Sequence, residues 1–409
     1  MIEEKHNIGK TVDCFGCGVC SVVCPTKIIN IELNKKGFYE PRIIDNDKCV
    51  NCGMCLKVCS FNNEGLAVTN KLISSFGAWS KDRQVRRTCS SGGVAFEIGR
   101  YLMKQGYQVC GVKYNAEKGR AEHFVSSDEK ELIQSAGSKY IQSYTVDGFK
   151  SIDRKKKYVV IGTPCQIDSF RRYIKRFHCE DNFLLIDFFC HGVPSMLLWK
   201  KYTKWAEQIV GMITDASWRN KWCFSHDNLE TGSGCMKDGK PADWHDSYSM
   251  LLKGERSSIQ IPMSKGDKFF ALFLGDCCLG KHCYLNCKFK WDHSSADIRI
   301  GDAWGQKYEN DKDGVNAVLC FTKKGEEILK ASNCHIEEQP LNVVAEYQMK
   351  KNPPIRNWYN KIYAALQDKN STIDEIYAIA LPHLKREKLI KRLLNPRRTF
   401  KNLIRRIKK

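Results

Sequence analysis

No stretch of this sequence is apolar for long enough to cross a membrane; the longest runs, such as FLLIDFF (183–189), are short and broken by charge. The first ten residues, MIEEKHNIGK, hold no apolar segment of the kind a secretory signal needs, so the chain is expected in the cytoplasm. Neither a conventional catalytic triad nor a pair of catalytic carboxylates can be read, which argues against ordinary hydrolytic chemistry. No nucleic-acid-reading motif accompanies the net charge of +20, and nucleic acid is not an expected partner. A disulfide framework is equally out of place: the 21 cysteines are odd in number and lack an export signal. They read instead as reduced thiols, many of them metal ligands. A hydrophobic content of 42% excludes a disordered chain, and 409 residues suffice for two or three domains.

The cysteines are organised. DCFGCGVCSVVCP (13–25) and KCVNCGMCLKVCS (48–60) both read C-x2-C-x2-C-x3-C. This is the bacterial ferredoxin run, whose fourth cysteine ligates the neighbouring cluster. Three thiolates two residues apart wrap three corners of a cubane, and Gly16, Gly18 and Gly53 allow close backbone approach. The spacing assigns Cys14, Cys17, Cys20 and Cys59 to one [4Fe–4S] cluster and Cys49, Cys52, Cys55 and Cys24 to another, the fourth ligand coming from the start of a helix. Structural zinc uses separated C-x2-C pairs with a long spacer and fits poorly. Ser60 stands where the first run has Pro25. Residues 1–66 are therefore expected to form an α+β ferredoxin-like domain.

Beyond it, strand-like SSFGAWS (74–80), YQVCGVKY (107–114) and AEHFVSS (121–127) surround a helix-like GGVAFEIGRYLMKQG (92–106). KYVVIGTPCQIDSFRRYI and NFLLIDFFCHGVPS each run from a buried strand into a turn, and ADIRIGDAWG and AVLCFTKKGEEIL follow. The alternation predicts an α/β domain with ligand-bearing loops at strand ends. RRTCSSGG puts two hydroxyls and two glycines ahead of a helix as a phosphate cradle, GSKYIQS offers a lysine and hydroxyls, and GTPCQ and CHGVPS each present backbone N–H groups and a thiol. Each alone is an ordinary strand–turn–helix connection; together they point to a cofactor.

In this order after a two-cluster domain, SSGG, GSKYIQS, IGTPCQI, DFFCHGVPS, CYLNCKF and DIRIGDAWG resemble the coenzyme F-420 hydrogenase/dehydrogenase beta-subunit family, over residues 10 to about 325. The resemblance implies an α/β flavin-binding domain, with FAD facing Ser90, Ser91, Gly92 and Gly93. It adds Ser138, Lys139 and Tyr140 from the next loop, then Gly162, Thr163, Pro164, Gln166 and His191. Lys139 is expected to place positive charge by the flavin and His191 to donate a proton. These two are the candidate catalytic residues. Cys283 and Cys287 become candidate ligands of a third [4Fe–4S] cluster, with Cys165 and either Cys278 or Cys190 completing the four. WRNK (218–221) and Ala303 depart from the family pattern where a substrate is expected. Cys89, Cys110, Cys179, Cys223, Cys235, Cys320 and Cys334 read as structural.

The expected domains are 1–66, 67–348 (in parts 67–150 and 151–348), and a helical extension, 349–409. Residues 384–409 hold twelve Lys or Arg against one acid, Glu387, so eleven of the twenty net charges sit there. Leu389, Ile390, Leu393 and Leu394, then Phe400, Leu403, Ile404 and Ile407 beyond Pro396, fall at helical spacing. That is a basic amphipathic segment suited to an anionic membrane surface, and peripheral attachment to the inner face is the expectation. The function expected is an oxidoreductase passing electrons between clusters and a flavin that acts on a small-molecule redox substrate. Its electron partner is a ferredoxin or partner subunit. The other reading is a non-catalytic electron-transfer subunit.

Overall fold

Near-continuous apolar runs, such as YVVI and FLLIDF, become strands buried on both faces. The computed structural model describes residues 6–223 and 240–394. A hairpin of β1 (Ile29–Leu33) and β2 (Tyr39–Ile43) lies between the two cysteine runs. The chain then builds β3 (Ser74–Ser80), β4 (Gln108–Asn115), β5 (Arg120–Ser126), β6 (Ser143–Tyr144), β7 (Tyr158–Ile161) and β8 (Phe183–Phe188). After β9 (Ile213–Arg219) come the two-residue β10 (Trp222–Cys223) and β11 (Lys240–Pro241), then β12 (Tyr248–Gly254) and β13 (Ser258–Pro262). The last three are β14 (Ile298–Asp302), β15 (Asn316–Cys320) and β16 (Cys334–Glu338).

Nine strands form one mixed sheet in the order β16-β3-β15-β14-β8-β7-β4-β5-β6. Its centre, β14-β8-β7-β4, is parallel. Val109, Val159, Leu184 and Ile186 point to one face, against Val94, Ile98 and Leu102 of the helix Val94–Met103. Their sequence neighbours Cys110, Tyr158, Val160 and Leu185 point to the other, against Ile167, Phe170 and Ile174 of the helix Pro164–Arg176. This period of two is what a sheet covered on both sides requires. Because the central strands are parallel, the loops after β4, β7, β8 and β14 emerge along one edge, where open α/β sheets bind ligands.

The cysteine-rich segment shares this core: Val19, Val23 and Val58 belong to the same cluster as Phe149 and Phe170. Its two short helices, Val19–Val23 and Met54–Lys57, follow the cysteine loops. The fourth cysteines stand at the ends of these helices rather than their starts: Cys24 caps the first and Cys59 follows the second. Gln142 clamps the segment to the sheet. Its Oε1 accepts from Tyr39 N (2.9 Å) and its Nε2 donates to Phe15 O (3.2 Å). A Cβ on Gly16 would lie 2.4 Å from Gln142 Nε2, and one on Gly18 2.3 Å from Thr145 Oγ1; both glycines also have left-handed φ (63° and 73°).

A three-stranded sheet, β13-β12-β9, forms a second core with the helices Met196–Val210 and Lys268–Leu274. Ile362, Tyr363 and Leu366 of the helix Tyr359–Gln367 and Ile373, Ile376 and Ala380 of the helix Ile373–Leu394 are buried in it. The last helix ends on exposed Leu389, Ile390, Leu393 and Leu394. Phe400, Leu403, Ile404 and Ile407 lie outside the described residues, as does Cys235. Among the described residues no helix is long and apolar enough to cross a membrane.

One ion pair at the sheet centre is fully buried. Arg299 on β14 makes two 2.7 Å hydrogen bonds to Asp187 on β8. Its remaining N–H groups donate to the carbonyls of Phe289, Trp291 and His293, holding the loop after Cys287 against the sheet. Removing the cation leaves a buried carboxylate unpaired. Arg299→Met is expected to cost about 3–5 kcal/mol in urea denaturation. Lys330→Met, at an exposed pair with Glu326, is expected to leave the midpoint unchanged.

Candidate redox centres and cofactor cavity

The two cysteine runs close on two hollows, each walled by three cysteines of one run and the fourth of the other. Cys14, Cys17, Cys20 and Cys59 wall one, with Phe15, Gly16 and Phe61. Cys49, Cys52, Cys55 and Cys24 wall the other, with Asn7 and Ile29. The first is buried, whereas Cys52 of the second is exposed. Polar hydrogens are aimed at the sulfurs: Gly16 N–H at Cys14 Sγ and Asn7 Nδ2 at Cys49 Sγ, both at 3.4 Å. Burial pushes the Cys17 thiol up to about 11 and Cys20 well above its ordinary range. Buried thiolates become tenable here only against a cationic core, and four soft sulfurs per hollow suit iron.

A third convergence joins distant parts of the chain. Cys165 lies in the first turn of the helix Pro164–Arg176, and Cys190 in the loop after β8. Cys283 is in the helix Lys281–Leu285, and Cys287 lies just beyond it. All four wall one hollow, with Phe15, Thr163 and His282. Cys278 does not. It is fully buried in the second core, where its carbonyl accepts from Ser195 N and Tyr363 OH. Of the two candidates for the fourth position, the geometry therefore brings in Cys190 and leaves Cys278 out. Gly192, between Cys190 and this wall, has φ 144°, and a Cβ there would lie 3.3 Å from Cys283 Cβ.

Beside this hollow, at the exit edge of the sheet, lies a cavity of about 410 Å³. Ser90, Ser91 and Gly93 line one side, Ser138, Lys139 and Tyr140 a second, and Gly162, Thr163, Gln166 and His191 a third. Gly92 and Pro164 do not line it. Gly92 packs its loop onto the sheet, where an added Cβ would lie 2.5 Å from Ala78 O and 2.8 Å from Asn316 N. Pro164 faces the third cysteine hollow.

The lining groups are held from behind. Ser138 N–H donates to Ser90 Oγ at 2.7 Å, joining two loops. Ser91 turns its hydroxyl inward to Val315 O at 2.7 Å. Thr163 and Gln166 form a capping box at the start of their helix. Lys139 donates to the carbonyls of Gln134, Ala136 and Gly137 at 2.8, 2.9 and 3.1 Å. Burial pushes it down to about 7, opposed by Cys89 and Asp215. Its ammonium thus also holds its own loop in shape. His191 Nε2 is 2.9 Å from Asp276 Oδ1.

Asp302, Trp304 and Tyr248 line the cavity outside the four loops, and Arg219, which does not line it, holds two of its wall residues. Arg219 is buried, donates to Asp302 at 2.8 Å and Tyr140 OH at 3.1 Å, and stacks on Tyr248 at 4.2 Å. Burial opposes its charge, but Asp302 outweighs this and holds it above its ordinary range. Trp304 stacks flat on Trp244 with centroids 4.6 Å apart. GDAWG carries a signal here through Asp302 and Trp304, which line the cavity, and WRNK does so indirectly, through Arg219 donating to Asp302 and Tyr140. The departures themselves lie elsewhere: Trp218 and Ala303 are core residues, and Asn220 donates to Ser217 O and Ser249 O, while Lys221, which keeps the pattern, is buried and donates to Arg86 O and Ser91 O behind the serine loop. Tyr248 and Tyr347 also line the cavity, from segments with no motif.

Comparison with known proteins follows this layout. Residues 13–63 match the model of a 4Fe-4S dicluster domain. Residues 75–148 match the N-terminal model of the coenzyme F-420 hydrogenase/dehydrogenase beta subunit, and residues 155–343 match the corresponding C-terminal model. The coenzyme F-420-dependent sulfite reductase of Methanocaldococcus jannaschii is 24% identical over 341 residues, 81% of this chain and 48% of the relative. An iron-sulfur subunit of the CoB–CoM heterodisulfide reductase of the same organism is 36% identical over 70 residues, 14% of this chain and 11% of the relative. The chain thus spans about half of the first relative and about a tenth of the second. A chain of the xenon-derivatised F-420-reducing [NiFe] hydrogenase complex from Methanosarcina barkeri is 17% identical. It covers 74% of this chain and 90% of its own length, with a TM-score of 0.43.

The packing of Gly92 gives a direct check on the serine loop. Gly92→Ala is expected to lower stability by about 1–3 kcal/mol in chemical denaturation, the usual cost of overpacking. A neutral result would mean that the loop does not rest on the sheet.

Proposed function

Since the chain belongs to the coenzyme F-420 hydrogenase/dehydrogenase beta-subunit family, we propose that it is an FAD-dependent iron–sulfur oxidoreductase carrying three [4Fe–4S] clusters in series. The observation that carries this reading is the sharing of walls. Phe15 borders both the Cys14/Cys17/Cys20/Cys59 hollow and the Cys165/Cys190/Cys283/Cys287 hollow. Thr163, Gln166 and Lys290 border that third hollow and the large cavity. Single electrons enter or leave at exposed Cys52, where a ferredoxin or partner subunit docks. The cavity takes FAD and, beside it, a small-molecule redox substrate.

The cavity falls within the size range of small-molecule sites and offers aromatic faces and hydroxyls at its walls. A flavin bound there couples two-electron hydride chemistry to single-electron transfer. Ser90, Ser138 and the Thr163 turn would hold its polar groups, and Lys139 would supply positive charge. His191, whose Nε2 lies 2.9 Å from Asp276 Oδ1, stands at the cavity wall as the candidate proton donor. Coenzyme F-420 is the first substrate to test because the relatives' names carry it. An unknown acceptor, for instance in surface-polysaccharide synthesis, is the choice for an organism without that coenzyme. The domain division proposed is 1–66 for the two-cluster unit, 67–348 for the flavin unit and 349–409 for the helical extension. The second reading is a non-catalytic electron-transfer subunit, consistent with a match to only 48% of the sulfite reductase.

Anaerobic purification and reconstitution, followed by iron, sulfide and flavin analysis, tests both readings. About twelve irons and one FAD per chain are expected, from four irons per cubane. Full iron with no flavin would leave the electron-transfer reading. Cys190→Ser is expected to lose about four irons, and Cys278→Ser none. The reverse result would return Cys278 to the third cluster.

The end of the chain supports peripheral attachment to an anionic membrane. Leu389, Ile390, Leu393 and Leu394 are exposed on the last turns of the helix, and Lys and Arg dominate from residue 384 onward. Deleting residues 384–409 is expected to abolish co-sedimentation with phosphatidylserine-containing liposomes. Unchanged binding would remove the membrane from the scheme.

A further inference from the structure

Ser60 breaks the ferredoxin pattern, and the structure supplies a consequence. Its counterpart in the first run is Pro25, which has no backbone N–H. Ser60 keeps that N–H and donates it to Ser169 Oγ at 3.0 Å. Ser169 lies on the helix Pro164–Arg176, one turn beyond Cys165. Its Oγ is also 3.2 Å from Cys17 Sγ, and both serines are fully buried. The Ser60 side-chain hydroxyl is buried without a partner, so the backbone N–H is what that residue contributes.

As a thiol, Cys17 can donate to Ser169. As a cluster ligand its sulfur has no proton and can only accept. The Ser60 N–H occupies acceptor capacity on Ser169 Oγ and orients the hydroxyl proton toward Cys17 Sγ. One-electron reduction of a [4Fe–4S] cluster places additional negative charge on its sulfurs. A fixed O–H donor stabilises that reduced form more than the oxidised one. Elsewhere in the ferredoxin unit the side-chain donors stand further off: Asn7 Nδ2 is 3.4 Å from Cys49 Sγ, and Thr26 Oγ1 is 3.5 Å from Cys24 Sγ.

Resting on the cluster assignment proposed above, we infer that the Ser60 N–H and Ser169 O–H form a two-step hydrogen-bond relay that raises the reduction potential of the Cys14/Cys17/Cys20/Cys59 cluster. Ser169 is thus a positioning and tuning residue and does not ligate iron. The relay also reaches across from the ferredoxin unit to the helix that carries Cys165. The potential of the middle cluster is therefore set by a residue outside the ferredoxin unit.

The test is an EPR-monitored redox titration of the full-length reconstituted protein, with iron measured for every variant. The middle-cluster signal is identified as the one lost in Cys20→Ser. Ser169→Ala is expected to lower the midpoint of that signal alone, by about 59 mV, the equivalent of about tenfold in a one-electron reduction equilibrium. Ser60→Pro, which removes the N–H and keeps the Ser169 hydroxyl, is expected to lower it by less. Ser60→Ala, which keeps the N–H, is expected to leave it in place. An unchanged midpoint in Ser169→Ala with full iron overturns the relay, and so does an identical midpoint in Ser60→Pro and Ser60→Ala. If Ser169→Ala does not load iron, the Ser60 pair decides alone. Lack of iron in the unaltered protein would sink the redox reading as a whole, a result distinct from unchanged midpoints in loaded protein.

Discussion

The two 2.7 Å hydrogen bonds between Arg299 and Asp187 join the middle strands of the sheet with both side chains fully buried. Two charges in such a place are tolerable only when every hydrogen-bonding position is filled. Asp187 is completed by the Ser294 hydroxyl, and Arg299 by three carbonyls of the loop after Cys287. The demand for full satisfaction therefore fixes the course of a loop. That loop carries Phe289, Lys290 and Trp291 into the cavity wall. A requirement of the core thus becomes the shape of the site.

The helix Pro164–Arg176 extends the same logic toward the cysteines. Its capping box sets the Thr163 turn at the cavity, and Cys165 in its first turn faces the third hollow. One turn on, Asp168 accepts from Ala67 N and Ser295 Oγ, and Arg172 donates to Asp168 and to Gly65 O. A single rigid element thus touches the cavity, the third hollow and the segment leaving the ferredoxin unit. The cavity and the third hollow, built from segments far apart in sequence, keep their spacing because they share this shaft.

Sequence and structure agree best where chemistry is local. The eight ferredoxin cysteines were legible because a cubane imposes its spacing on one short loop, and each hollow gathers three cysteines of one run with the fourth of the other. The strands were legible because burial on both faces leaves near-continuous apolar runs. The third group was only half legible. Cys165, Cys190, Cys283 and Cys287 come from three segments, and Cys278 has the more suggestive position in the sequence. Only the path of the chain turns Cys278 into the second core and Cys190 toward the others. Lys139 was expected to place positive charge by the cofactor, and its ammonium in fact binds three carbonyls of its own loop. Which carbonyls lie within reach is a property of the folded turn, with no signature in residue type. Tyr248 and Tyr347 reach the cavity from segments whose composition marks neither as special.

The clamp at Gln142 bears on how such a chain changes over evolutionary time. One amide side chain holds both Tyr39 of the hairpin and Phe15 of the first cysteine loop, and Gly16 fits beneath it with no room for a methyl group. Lys288 adds a grip from the other side, donating to the carbonyls of Ser60, Asn63 and Gly65. Ferredoxin units are commonly pictured as interchangeable cassettes. This one is keyed to its host: a homologous unit bearing alanine at position 16 or 18 would collide with the sheet edge before its clusters could line up. The two parts must therefore vary in step, as a lock and its wards do, and a graft between relatives must carry Gln142 and Thr145 along with the cysteines.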